Sequence, residues 1–171
     1  MRETISDPAG FEALQAYTEA KNIRADLVNA ILLGPDLALQ KTLGSSLKGV
    51  TQLLSRNSVE FYRVLTKLGI LQFTGDLKRD IENVLVGLGL AERVLVQQSE
   101  NTVEVEVYGS AFAPYAIYMG ARGGEPLLLP EAFLVAGLLL TLIPSAKVKM
   151  RVRVPTRFDE PLSVSITIIR R

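Results

Sequence analysis

The sequence predicts an α+β fold, in which N-terminal helices precede an antiparallel sheet of about four strands, arranged as two hairpins and covered by helices. Residues 9–70 carry apolar side chains at helical spacing throughout. Two later segments, 93–108 and 147–169, each contain two strand-like runs separated by a turn, which is the pattern of a β-hairpin. Residues 132–142 lie between the hairpins and contain no charged side chain, so they predict a buried helix that covers the sheet.

The first part of the chain predicts helices only. Helices are expected over residues 10–21 and 23–33, and the pair Gly34-Pro35 predicts a break after them. Asp36 then starts a longer helix, whose apolar residues step by four, four, three and four along one face: Leu39, Leu43, Leu47, Val50 and Leu54. This stripe indicates packing against the rest of the chain or against a second copy.

Capping residues indicate the helix boundaries in the middle of the chain. Asn57 followed by Glu60 resembles a capping box, so a new helix is expected from residue 57 to about residue 68, with Gly69 as its stop. Asp76 is expected to cap the next helix, which ends at the glycines near residue 87.

The two hairpins are indicated by alternation of apolar and polar residues. Strands are expected at 93–98, 102–108, 147–154 and 162–169. In the second strand the inward residues are Val103, Val105 and Val107, and the outward residues are Glu104, Glu106 and Tyr108. Because each hairpin has one apolar face, the sheet needs a helical layer on that side only.

Composition excludes several kinds of chemistry. The 171 residues include no Cys and no His, and 19 Lys and Arg balance 18 Asp and Glu. Disulfides, thiolate metal sites, imidazole ligands and a Ser-His-Asp triad are therefore excluded, and no pair of carboxylates has catalytic spacing. The sequence predicts no catalytic residue, no metal site and no cofactor, and it favours a non-enzymatic domain. A length of 171 residues fits one domain, or one domain with a helical appendage. We expect the appendage at 1–35 and an α+β, ligand-binding-like domain at 36–171.

The chain is predicted to be cytoplasmic, without a membrane span. Its first ten residues contain no apolar run, so no secretory signal is expected. The uncharged stretch 132–143 would extend about 18 Å as a helix, against about 30 Å for a hydrocarbon core.

One strand carries a basic face, formed by Lys147, Lys149, Arg151 and Arg153. Such a ribbon could contact the phosphates of a nucleic acid. The alternative is cross-strand ion pairing with Glu104 and Glu106, or a solvated face. Because no aromatic residues interleave the cations, the sequence favours the alternative over nucleic-acid binding.

An aromatic cluster follows the first hairpin. Ser110 is expected to cap a short helix there, and the cluster comprises Phe112, Tyr115, Tyr118, Met119 and Phe133. Tyrosines with an apolar body and a polar tip suit a pocket for an apolar ligand, which would also lie against the helix face at Gly137. The alternative is that these residues fill the core and bury their hydroxyls against backbone carbonyls.

Together with the order of its elements, short motifs in the second part of the chain resemble the vinyl-4-reductase domain family. The motifs lie at residues 84–89, 109–114, 130–133 and 137–141. The resemblance covers roughly residues 36–170. The family includes archaeal proteins described as hydrocarbon-binding, ligand-sensing domains of bacterial regulators, and a relative among vesicle-tethering transport-particle subunits.

The resemblance implies an α+β fold, a homodimer formed through the N-terminal helices, and an apolar cavity between helices and sheet. By position, Gly137 corresponds to the family's helix glycine, and Phe133 stands near a cysteine that many members carry. Since this chain has no Cys, it lacks the ligand for the metal that some members bind. No cofactor motif accompanies the predicted fold, so the resemblance does not imply reductase activity.

The sequence leaves three possible functions open. The first is a homodimeric, non-enzymatic domain that binds a small apolar or aromatic molecule as a sensor or carrier. The second is a dimerising adaptor without a ligand, and the third is nucleic-acid binding through the basic strand.

Overall fold

The computed structural model describes residues 25–43 and 47–169. Within these ranges the chain forms five helices and four strands: α1 (Ala25–Leu43), α2 (Leu47–Lys67), α3 (Leu77–Leu85), β1 (Arg93–Gln98), β2 (Thr102–Tyr108), α4 (Ala113–Ala121), α5 (Pro130–Leu142), β3 (Lys147–Arg153) and β4 (Leu162–Ile169). The predicted α+β fold is confirmed. The predicted helix 10–21 lies outside the described residues, and the division of the chain at residue 35 stays a prediction.

The four strands form one antiparallel sheet in the order β1-β2-β4-β3. Each hairpin contributes two adjacent strands, and the hairpins meet where β2 pairs with β4. Val105 lies opposite Val96 on one side and Val164 on the other. The register therefore places the apolar residues of neighbouring strands on one face, as the alternation predicts.

The core lies between the inner face of the sheet and the helices. Val103, Val105 and Val107 of β2 are at most 1% exposed, and α5 contributes Leu138 and Leu139 with similar burial. Helix α2 packs on α5, α1 packs on α4, and α3 packs on β1. The prediction of a buried helix at 132–142 is thus confirmed, with Pro130 as the first residue of that helix.

Two predicted helix boundaries are wrong. Helix α1 continues through Pro35, although Gly34-Pro35 was expected to break it. The reason is tertiary, because the next residue, Asp36, is fully buried and accepts hydrogen bonds from the distant loop at Leu127. Helix α2 likewise passes through Asn57 without a new start.

The second error also has a tertiary cause. Ser58 and Tyr62 lie one turn apart on α2, and each donates a hydrogen bond to a carbonyl of α5. This continuous packing keeps residue 57 in the helix. The leucine stripe that was expected on one helix is divided between α1, which ends at Leu43, and α2, which begins at Leu47.

Two other local predictions are confirmed and one is wrong. Asp76 caps α3, because its carboxylate accepts a hydrogen bond from the amide of Arg79 at 3.2 Å. Gly69 follows the end of α2 with φ of 69°. The prediction that Ser110 caps α4 is wrong, because the N-cap is Phe112, two residues later; the Oγ of Ser110 instead accepts a hydrogen bond from the amide of Phe112 at 3.0 Å.

Candidate ligand-binding site

An apolar groove lies between α2, the first turn of α5 and the loop after α3. Its volume is about 450 Å³. The lining contains no charged side chain and comprises Leu54, Asn57, Ser58, Phe61, Leu88, Leu90, Pro130, Phe133 and Leu134. This volume lies within the range of small-molecule sites, about 300–1,000 Å³. We call this feature the α2–α5 groove.

Close contact between α2 and α5 forms the floor of the α2–α5 groove. A Cβ added at Gly137 would lie 2.7 Å from the Cβ of Ser58, so only glycine fits at this position. The Oγ of Ser58 lies 2.8 Å from both the carbonyl oxygen of Ser55 and that of Phe133. The hydroxyl is thus satisfied inside the contact, and the two helices are held at a fixed separation.

Tyr62 lies beside this contact and fixes the two helices to each other. Its side chain is fully buried, and its hydroxyl donates to the carbonyl oxygen of Leu134. Burial raises the pKa of the Tyr62 hydroxyl, so the group stays a neutral donor. The ring contacts Phe61 edge-on at 5.4 Å and Phe73 at 5.8 Å between centroids. Phe61, which lines the groove, therefore packs against a buried and hydrogen-bonded ring.

The predicted site residues fall into three places. Phe133 lines the α2–α5 groove, and Gly137 lies one turn further along α5 against Ser58. Phe112, Tyr115 and Met119 belong to the buried core. Tyr118 is 43% exposed, and its hydroxyl accepts a hydrogen bond from Arg122 at 2.8 Å. The structure therefore does not bring Tyr118 to the buried members of the cluster.

The Tyr115 side chain takes part in a buried polar cluster. Its hydroxyl donates to Oδ2 of Asp36, which also accepts from the amide of Leu127 at 2.7 Å. The other oxygen of Asp36 accepts from Gln40 at 2.9 Å. Burial, followed by the hydrogen bond to Asp36, raises the pKa of Tyr115. Asp36, which was expected to start a helix, instead connects α1 to α4 and to the loop before α5.

Sequence reasoning missed most of the groove. Leu54 and Phe61 belong to α2, whereas Leu88 and Leu90 follow α3 and Leu134 belongs to α5. No sequence pattern connects these segments, because they meet only through tertiary packing. The available indication was local: Phe61 and Leu54 stand on α2 at helical spacing.

A second buried carboxyl lies in the first turn of α5. Glu131 is fully buried, its Oε1 accepts a hydrogen bond from Ser110, and its Oε2 has no hydrogen-bond partner among the described residues. Burial raises the pKa of Glu131 to about 7, and the hydrogen bond from Ser110 opposes this rise. The carboxyl is therefore partly neutral at physiological pH.

The basic strand β3 lies at one edge of the sheet. Its four cations are all exposed on the outer face, as predicted: Lys147, Lys149, Arg151 and Arg153. The expected cross-strand pairing with Glu104 and Glu106 is wrong, because β4 separates β3 from β2. In the described part of the chain, salt bridges join other residues, such as Arg63 with Glu60.

The described residues place limits on two other kinds of site. They include no group of three or more acidic, histidine or cysteine side chains arranged to hold a metal ion. None of the described helices combines the length and the apolar character needed to span a bilayer.

Comparison with known proteins shows which family the chain belongs to. An uncharacterised protein of Methanocaldococcus jannaschii is 30% identical over 144 residues, which cover 77% of this chain and 70% of the archaeal protein. The chain belongs to the family of this archaeal protein. No family model matches the sequence of the present chain. The resemblance of the chain to the vinyl-4-reductase domain therefore stays a prediction.

A solved structure is also similar to the present chain. It is the crystal structure of a trafficking protein particle complex subunit 3 from Naegleria fowleri, covalently bound to palmitic acid. The TM-score is 0.45 with 10% identity, over 95% of this chain and 92% of that chain.

Proposed function

We propose that the protein binds a small apolar molecule in the α2–α5 groove and acts without catalysis, as a sensor or carrier. One observation carries the proposal: the groove of about 450 Å³ is lined mainly by apolar side chains, with Asn57 and Ser58 as its polar residues, and contains no charge. Phe133, which the sequence indicated as a ligand contact, is one of its residues. The resemblance to the vinyl-4-reductase domain supports the same class of ligand.

The lining favours an apolar ligand over a polar one. Burial of apolar surface contributes about 25 cal/mol per Å², so a ligand that buries several hundred Å² gains sufficient affinity without ion pairing. Asn57 is the exposed polar residue at the edge of the groove, and Ser58 is already hydrogen-bonded to the backbone. A ligand with one polar end would therefore direct that end towards Asn57.

Matched variants test the position of the site. Phe61 lines the groove and is 37% exposed, whereas Phe158 lies in the turn between β3 and β4 and is 70% exposed. Both rings reach solvent, so a carboxylate at either position can extend into water. Fluorescence titration with the neutral probe N-phenylnaphthylamine should show saturable binding that Phe61→Glu weakens about tenfold and Phe158→Glu leaves unchanged. Unsaturable binding, or equal effects of the two substitutions, would contradict the proposal.

The second candidate function is a dimerising adaptor, with the predicted homodimer formed through the helices. Ile31 on α1 and Leu53 on α2 are each 59% exposed, and such large apolar side chains favour burial against a second copy. Leu53→Glu should then convert a dimer to a monomer in sedimentation velocity experiments. A monomeric wild-type protein would exclude this function. We also propose that the protein is located in the cytoplasm.

A further inference from the structure

The outer face of the sheet carries opposite charges on two strands that are not neighbours. Glu104 lies on β2, Ser165 lies opposite it on β4, and Arg151 lies opposite Ser165 on β3. The next row repeats this order as Glu106, Ser163 and Arg153. The face therefore has an acidic stripe, a central stripe of serines and a basic stripe, all in register.

The two charged stripes do not neutralise each other within one molecule. Two strand spacings separate β2 from β3, which is about 10 Å and beyond the reach of an ion pair. Among the residues the structure describes, no salt bridge joins Glu104 or Glu106 to Arg151 or Arg153. Instead, a shallow groove of about 430 Å³ runs between the stripes over the serines.

We propose that this face binds a second copy of the chain about a two-fold axis that runs along β4. Rotation about such an axis exchanges the two sides of the sheet and preserves the position along the strands. The partner's Arg151 then lies over Glu104, and the partner's Arg153 lies over Glu106. Because the interface is isologous, each contact occurs twice, which gives four complementary pairs.

Other two-fold arrangements of the same face are unfavourable. An axis that runs across the strands places β2 over β2, so that the carboxylates meet carboxylates. The axis along β4 also brings small side chains together at the centre, since Ser163 and Ser165 of the two copies face each other. Small central residues allow two sheets to approach to about 10 Å, the usual spacing of packed sheets.

The side chain of Glu106 in the acidic stripe is partly fixed before association. The hydroxyl of Tyr108 donates to Oε2 of Glu106 at 3.0 Å, and the guanidinium of Arg93 lies 4.2 Å from the centre of the Tyr108 ring. Glu106 thus loses little conformational freedom when a partner binds.

The acidic stripe also argues against nucleic acid as the occupant. A phosphate backbone on β3 would lie about 10 Å from two carboxylates, which repel it at low salt, where the Debye length exceeds this distance. A second copy uses both stripes, whereas a nucleic acid uses one. The interface is small and its ion pairs are exposed, so association is weak and sensitive to salt.

Two variants, each with one charge reversed on one of the two stripes, test this arrangement. Glu104→Arg places like charges opposite Arg151 of an identical copy, and Arg151→Glu does the same with carboxylates. Each variant alone should associate about tenfold more weakly than wild type in sedimentation equilibrium at low salt. An equimolar mixture of the two variants should restore association, because every contact of the mixed pair is then attractive.

The control is Arg157→Glu, at an exposed turn residue paired with Asp159, which should leave association unchanged. Identical association of wild type, Glu104→Arg and Arg151→Glu would overturn the proposal, as would a mixture no stronger than the separate variants. Retention of DNA or RNA that Arg151→Glu abolishes, with no self-association of wild type, would overturn it in favour of nucleic acid. Leu53→Glu, which addresses the helical dimer, is measured separately so that the two interfaces are distinguished.

Discussion

The hydroxyl of Tyr115 on α4 donates a hydrogen bond to the carboxylate of Asp36 on α1, and both side chains are fully buried. The same carboxylate accepts the amide of Leu127, so one acidic group joins a helix, a second helix and the loop before α5. This cluster occupies the position where the sequence suggested ligand contacts by tyrosine, and it attaches α1 to α4 and to the loop before α5.

Asp36→Ala should destabilise the protein by about 2–4 kcal/mol. The substitution removes the buried carboxylate that accepts hydrogen bonds from the hydroxyl of Tyr115 and from the amide of Leu127, and it leaves that amide in a buried position without this acceptor. Urea unfolding measures the change, and Tyr115→Phe in the Asp36→Ala background should add little further loss. Fully additive losses in the double variant would show that the two residues are not coupled.

Gly137→Ala should destabilise the protein by about 1–3 kcal/mol, although alanine favours helices. The new Cβ would lie 2.7 Å from the Cβ of Ser58, so α2 and α5 must move apart. Gly120→Ala is the matched control on α4, because the added Cβ there meets Val154 at an ordinary 3.4 Å. Thermal unfolding should show a lower Tm for the first variant only, and equal Tm values would refute the close helix contact.

Glu131 should make the protein less stable as the pH rises from about 4.5 to 7. Burial raises its pKa from 4.5 to about 7, so in this window the folded state holds a proton that the unfolded state has released. Stability is greatest below this window, and the loss across it is about 3 kcal/mol at most. Above pH 7 the contribution is constant.

Glu131→Gln isolates this contribution, since the amide cannot ionise and its oxygen can still accept the hydrogen bond from Ser110. The difference in unfolding free energy between wild type and the variant should shift by up to about 3 kcal/mol, in favour of the variant, between about pH 5 and pH 8. Urea denaturation at the two pH values measures it. A difference that does not change with pH would show that Glu131 titrates normally.

The strands could be predicted from the sequence, whereas the course of the helices at Pro35 and Asn57 could not. Alternation with a period of two places Val103, Val105 and Val107 on the buried face, and this holds for any order of the strands in the sheet. The predicted hairpins therefore match the observed ones closely. Pro35 and Asn57 predict helix ends when only the conformational preferences of neighbouring residues are considered. In this protein, contacts of Asp36 and Ser58 with distant segments keep both residues inside helices.

The candidate site was predictable only in part, for a related reason. Phe133 was indicated by its neighbours in sequence and does line the α2–α5 groove. The other walls come from α2 and from the loop after α3, and only the packing of α2 on α5 brings them together. Likewise, the charges on β2 and β3 were visible in the sequence, but the insertion of β4 between them follows from how the two hairpins join.

Contact quenching of a single tryptophan tests the central proposal most directly. The chain contains no Trp, so Phe61→Trp, Phe158→Trp and Tyr118→Trp each introduce a unique fluorophore at an exposed position. Bromodecane quenches only an indole that it touches. Titration with bromodecane should quench the fluorescence of the Phe61→Trp variant saturably and leave the fluorescence of the other two variants unchanged. Saturable quenching of the Tyr118→Trp variant alone, or equal unsaturable quenching of all three, would contradict an apolar ligand site in the α2–α5 groove.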